Sequence, residues 1–365
     1  PSRGNGVSDT HQGALAWESA LTNGNLGWLW EDLTIGAGDF VVSGDLTVAP
    51  TVTVTVAADA RLLFASTDAM SSHDNRVQLL VRGTLVVEGQ SDGPAIFKAH
   101  NDNSGGWGGF ALLSGSVANI EHAHIMQGYT CVYNDSAQLT LTDSQVSECA
   151  STGVLVNAGT ATISRSDIFD NTADGIYVNS SGLLTISDSV IYGNGDNGIE
   201  FYYASTSPDN SINHCTIYDN NNGIYSRYSD FSVRSSIVVN NSSHGIYRSS
   251  GSMSTNNNNV WRNSNNGNAG SYSLSANPLF VDAAAGDFRL THRSPSRGNG
   301  VGGTHQGAHA WDSALTVGNR GWIWEDLTIG AGDFPVNGDL TVAPGVTVSI
   351  SPNARLLFAD TDTMG

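Results

Sequence analysis

The chain has one lysine, Lys98, three cysteines and few charges of either sign. Charged residues fill 13% of its 365 positions, about half the usual share. Lys and Arg number 15 against 34 Asp and Glu, a formal net charge of −19. There is no basic cluster, which excludes a nucleic-acid binder, because a polyanion needs a basic patch. The same charge argument disfavours an anionic membrane surface. No run of about 18 apolar residues occurs, so no segment reads as a membrane span. Cys131, Cys149 and Cys215 match no zinc spacing and are too few for a disulfide framework. All three are expected to be small buried space-fillers. No charged-then-apolar leader precedes Pro1, so a signal peptide is expected to be removed or to lie outside this sequence.

What is plentiful is Gly, at 42 residues, with Asn, Ser, Thr and strand-forming Val, Ile and Leu. Regularly spaced apolar residues exclude disorder. The acid excess keeps a protein soluble and self-repelling, which suits an extracellular or cell-surface setting.

The sequence repeats itself. Residues 1–71 and 295–365 align without a gap at an offset of 294, and 53 of 71 positions match. Trp17, Trp28 and Trp30 return as Trp311, Trp322 and Trp324, and Glu31 to Phe40 returns unchanged as Glu325 to Phe334. One full unit and the start of a second are present, as expected for a window onto a longer tandem array. The expected division is a Trp-rich junction or cap at 1–35, a β-helix unit at 36–294, the repeated junction at 295–329 and the start of the next unit at 330–365. The six tryptophans are expected to pack between units.

A shorter period lies inside the unit. Gly153, Gly175, Gly198, Gly223, Gly245 and Gly267 are spaced by 22 to 25 residues. An apolar column, including Ile168, Ile191 and Ile217, keeps step with them, as does an asparagine column of Asn171, Asn194, Asn241 and Asn263. Alternation within each block indicates short strands, and no 3.6-residue periodicity competes. Stacked coils place like on like, with Ile filling the interior and Asn forming ladders at turns. Gly is expected to permit the bends. About 12 coils per unit would span roughly 55–60 Å.

The Asn-x-x-x-Gly-Ile blocks, such as Asn171 to Val178 and Asn241 to Arg248, resemble right-handed parallel β-helix proteins of the pectate-lyase-like superfamily. The segments Gly44 to Val54, Val81 to Gly109 and Asn277 to Leu290 resemble the opening and closing parts of that fold. The resemblance implies an all-β solenoid, with units repeated head to tail. Because many proteins of this fold cleave acidic polysaccharides, it also implies an enzyme alternative.

The residues do not present a convincing catalytic constellation on their own. Asp167, Asp170, Asp174 and Asp188 lie on adjacent coils, but beside Asn and Ser in turns, where Asp is ordinary. A lyase needs a base and a cation facing the uronate, and Lys98 stands alone. His214 and His244 have no partner at a telling spacing, His122 and His124 form an alternating pair on one strand face, and structural or surface roles are expected for all four. No cofactor is expected. Calcium is the one metal the oxygen-rich turns Asn101-Asp102-Asn103 and Asp209-Asn210 suggest. Two outward aromatic stripes are candidate surface contacts: Phe169, Tyr192, Tyr218 and Trp261, and Tyr177, Tyr225 and Tyr247, the second broken by Glu200.

The expected function is therefore structural and non-enzymatic: an extracellular fibre, stalk or adhesin of tandem β-helical units. Its partners would be copies of itself end to end, with lateral bundling or surface glycans. The alternatives are a polysaccharide lyase or glycoside hydrolase of the β-helix class, or a carbohydrate-binding adhesion module.

Overall fold

The structure, a computed structural model, describes residues 25–68, 75–206, 210–291, 293–309, 319–323, 326–342 and 345–358. Short strands wind into a parallel β-solenoid with three strands per rung. The leading strands, from Leu33–Ile35 and Thr53–Ala57 to Met253–Asn256, form a ten-stranded parallel sheet. The middle strands include Asp167–Phe169, Val190–Tyr192, Thr216–Tyr218, Ile237–Val239 and Asn259–Trp261. The trailing strands include Ile176–Asn179, Asn197–Tyr202, Asn222–Arg227 and His244–Arg248. Middle and trailing series join through one long strand, Gly38–Val48, which pairs with Ala60–Phe64 and then with Gln78–Val81. Among the described residues no helix is long and apolar enough to cross a membrane.

The ladders explain why this sequence folds this way. Ile168, Ile191, Ile217, Val238 and Val260 stack in register and are fully buried. Each such side chain contributes about 1.5–3 kcal/mol of burial. Asparagines satisfy the turns. Asn171 Nδ2 donates to Asn194 Oδ1 at 2.9 Å, Asn194 to Asn220 at 2.9 Å, Asn220 to Asn241 at 3.2 Å and Asn241 to Asn263 at 2.8 Å. Asn220 completes a ladder that the sequence reading left with a gap.

The bends come from elsewhere than the glycine column. Before each middle strand stands a non-glycine residue at positive φ: Asp143, Arg165, Asp188, His214, Ser235 and Asn257, between 46° and 53°. Gly153, Gly175 and Gly198 are needed for close approach instead. A Cβ at each would lie 2.7 Å from the carbonyl oxygen of the next glycine in the column.

The expectation that all three cysteines are space-fillers is corrected. Cys131 and Cys149 form a disulfide with a Cα–Cα distance of 5.7 Å, and only Cys215 is free and buried. Eighteen residues separate the pair, and one winding of the solenoid returns the chain alongside itself.

Among the described residues, pairing starts with Asn25–Leu29, inside the 1–35 segment expected to be a junction. Trp28 and Trp30 stack on each other at 4.8 Å and are 42% and 40% exposed. Trp17, Trp311 and Trp324 lie outside the described residues, and Trp322 lies in the strand Asn319–Ile323. That strand repeats the first one's register: Trp28 pairs with Thr47, and Trp322 with Thr341.

Candidate active site

The trailing sheet sets Tyr177, Glu200, Tyr225 and Tyr247 in one outward register column. All four are half-buried. Tyr225 and Tyr247 stack at 5.2 Å, and Tyr177 and Tyr202 at 6.4 Å. At the turn that follows, Tyr203 and Tyr228 stack at 4.8 Å, each 51% exposed. The Arg227 guanidinium lies 5.1 Å from the centre of the Tyr225 ring. The second predicted stripe is therefore an aromatic surface, with Glu200 set into it.

Glu200 is not alone. Oxygen atoms of Asp174, Asp196 and Glu200 all lie within 4.8 Å of one another. Asp174 is buried and accepts from the Asn197 backbone at 3.1 Å and from Asn197 Nδ2 at 2.8 Å. Asn197 Nδ2 also donates to Glu200 Oε2 at 2.7 Å. Asn222 Nδ2 donates to Asn197 Oδ1 at 2.8 Å, and the His244 backbone N–H donates to Asn222 Oδ1 at 3.1 Å. A hydrogen-bonded line thus runs along the solenoid axis from Asp174 to His244.

The electrostatics follow from this crowding. Burial pushes the Glu200 carboxyl up to about 7; Asp174 and Asp196 add to the rise, and Arg227 opposes it. Burial pushes Asp174 up to about 6, against the bonds from Asn197. Burial and the neighbouring carboxylates raise the Tyr177 hydroxyl to about 12. Glu200 therefore carries an exchangeable proton near neutrality, the property a general acid or base needs. The same three carboxylates have the oxygen chemistry for one hard divalent cation such as calcium. Protonation and cation binding would compete there.

Other predicted residues fall elsewhere. Phe169, Tyr192, Tyr218 and Trp261 line up along the middle sheet, and Phe169 stacks on Tyr192 at 4.9 Å. A hairpin of Phe280–Asp282 and Asp287–Leu290 covers part of this stripe. The Phe288 ring lies 5.1 Å from Tyr192 and 5.3 Å from Tyr218. Asp174 joins Asp196 and Glu200 rather than Asp167, Asp170 or Asp188. Of the suggested calcium turns, Asp102 pairs with Lys98 at 2.5 Å, and Asn210 Nδ2 is spent on the Ser205 and Asp230 carbonyls. Asp209 lies outside the described residues. The sequence reading passed over Asp196 and took Glu200 as a break in a tyrosine column. The sequence signal was limited to an acid interrupting a tyrosine column; its approach to Asp174 comes from the winding.

Comparison with known proteins places the chain. No curated protein matches it in sequence. Among solved structures, the A-module of the Azotobacter vinelandii mannuronan C-5 epimerase AlgE6 is 14% identical, with a TM-score of 0.45, covering 91% of this chain and 92% of that one. Pectate lyase Pel9A is 13% identical, with a TM-score of 0.43, covering 73% and 88%. The periplasmic alginate epimerase AlgG is 11% identical, with a TM-score of 0.35, covering 88% and 78%. These are likenesses of fold. The expectation of a chain with no catalytic constellation is corrected by its own fold: winding assembles the Asp174–Asp196–Glu200 carboxylate cluster. A family model for the right-handed β-helix region matches residues 71–211 and 131–277, and the chain belongs to the right-handed β-helix family.

Proposed function

We propose that this chain is a carbohydrate-active protein of the β-helix class, a glycoside hydrolase acting on a neutral or weakly charged polysaccharide. The observation that carries the reading is the Glu200 carboxyl, raised to about 7 beside a second, exposed carboxylate at Asp196. Glu200 gives its proton to the glycosidic oxygen as the C–O bond breaks. Asp196 bonds the anomeric carbon, and water then hydrolyses that ester with Glu200 as base. Carboxyl groups about 5–5.5 Å apart do this in retaining enzymes. Asp174, buried behind the pair, favours the protonated form of Glu200. Tyr177, Tyr225 and Tyr247 offer ring faces to sugars.

A neutral substrate is preferred on charge. Three carboxylates and a −19 chain repel a uronate, and among the described residues Arg227 is the cation that opposes them at Glu200. The Cys131–Cys149 disulfide supports an oxidising, extracellular setting. The test is release of reducing ends from a panel of neutral and acidic polysaccharides. Glu200→Gln should lower release by about 10²–10⁴-fold. Equal release by wild type and variant, or release from uronates alone, would remove the reading.

A second reading concerns the scaffold that carries this site. The strand register at 25–48 returns at 319–342, which favours a modular rod or stalk. Electron microscopy of the full chain should show rods, and compact particles would speak against it.

A further inference from the structure

After the last rung, residues 294–309 run back along the outer side of the middle sheet. The contacts are specific. The Gly307 N–H donates to the Ser235 carbonyl at 2.8 Å, and the Ala308 N–H to Thr216 Oγ1 at 3.0 Å. The Val301 N–H donates to Ser235 Oγ at 2.9 Å. Gln306 is fully buried, and its side-chain Nε2 donates to the Asn257 carbonyl at 2.7 Å. Asn259 Nδ2 donates to Ser296 Oγ at 2.9 Å, with both residues fully buried. Gly307 sits at φ +90°, and a Cβ there would meet Ile237 at 2.7 Å and Thr216 at 2.9 Å. The acceptor is thus a groove that reads a peptide by backbone, buried amide and the absence of one side chain.

That peptide occurs twice in the chain. Residues 295–308 and 1–14 share 12 of 14 positions. Every docking residue recurs: Ser296, Val301, Gln306, Gly307 and Ala308 correspond to Ser2, Val7, Gln12, Gly13 and Ala14. We propose that this groove is an interaction surface between copies of the chain, and that its partner is residues 1–14 of a second copy. The segment 294–309 is the intramolecular occupant of the same site.

The two differing positions set the order of preference. Gly302 and Gly303 lie at φ +71° and +82°, with open space where a Cβ would go. Ser8 and Asp9 stand at the corresponding positions, where an L side chain is strained. The intramolecular segment therefore holds the groove, and the second copy enters when that segment is weakened.

The test uses the full chain carrying Gly307→Val, which cannot seat its own segment, and a fluorescent peptide of residues 1–14. Saturable binding is expected, about tenfold tighter for a Ser8→Gly/Asp9→Gly peptide. Wild type, with its groove filled, should bind at least about tenfold more weakly. Sedimentation should show the Gly307→Val chain associating, and Gly13→Val in the same chain should abolish this. A Gly307→Val chain that unfolds like wild type, binds neither peptide and stays single would overturn the proposal. Should that variant fail to fold, the milder Gln306→Ala chain gives the same reading.

Discussion

Asn197 Nδ2 donates to Glu200 Oε2 at 2.7 Å while the same amide group holds Asp174 at 2.8 Å. One neutral donor thus fixes two acids of opposite placement, one buried and one facing solvent. Asn222 fixes the amide in turn by donating to Asn197 Oδ1.

Asn197→Leu should therefore act on both acids. Asp174 loses the side-chain bond from Asn197 Nδ2, keeps the bond from the backbone N–H of residue 197, and moves above its present value of about 6. Glu200 loses its anchor. Hydrolytic activity should fall by about 10–100-fold, with a shifted pH profile, and stability by about 1–3 kcal/mol. An unchanged pH profile would show that Asn197 does not position Glu200.

The acid cluster also makes stability depend on pH, with a definite sign. Asp174 and Glu200 have folded-state values of about 6 and about 7, above their ordinary values of 3.8 and 4.5. The folded chain therefore binds more protons than the unfolded chain between those limits. Stability from these groups is present at about pH 4 and is lost as pH rises to about 7. Asp174→Asn should stabilise the protein at pH 8 by about 1–2 kcal/mol and leave it nearly unchanged at pH 4. Urea denaturation at both pH values measures this.

The Ile and Asn columns were legible because a solenoid writes its stacking into sequence spacing. Ile168, Ile191 and Ile217 occupy one ladder for that reason. Asn220 escaped because it stands three residues before Gly223 instead of four, in a rung of different length. The Asp174–Asp196–Glu200 cluster escaped for another reason. Its members come from two turns and one strand, and only the winding brings Asp174 to Asp196 and Glu200. The hairpin over Tyr192 and Tyr218 is a contact between remote segments, and no local period encodes it.

The disulfide should matter more than a three-cysteine sequence suggests. Cys131→Ser with Cys149→Ser should cost about 2–4 kcal/mol, because the bond closes an 18-residue loop in the unfolded chain. Cys215 should behave differently. Burial pushes its thiol up to about 12, so thiol reagents should label it only after unfolding. Prompt labelling of native protein at one thiol per chain would contradict its burial.

The docked segment 294–309 should loosen in acid. Burial holds the His305 imidazole below its ordinary value, with His214 and His309 adding to the effect and Asp188 opposing it. The His214 ring lies 5.4 Å from it, and His214 Nε2 is 2.9 Å from Thr304 Oγ1. Among the described residues His305 Nε2 is buried without a hydrogen-bond partner, so a proton there would be stranded. The docked state therefore binds fewer protons than the released state. Docking stability is present above about pH 6.5 and is lost as pH falls below it. Hydrogen exchange over residues 294–309 should be faster relative to the core at pH 5 than at pH 7.5, after correction for intrinsic rates. His305→Gln should flatten that difference, since an amide has no proton to gain. The same relative protection at both pH values would mean that the segment stays seated whatever the charge on His305.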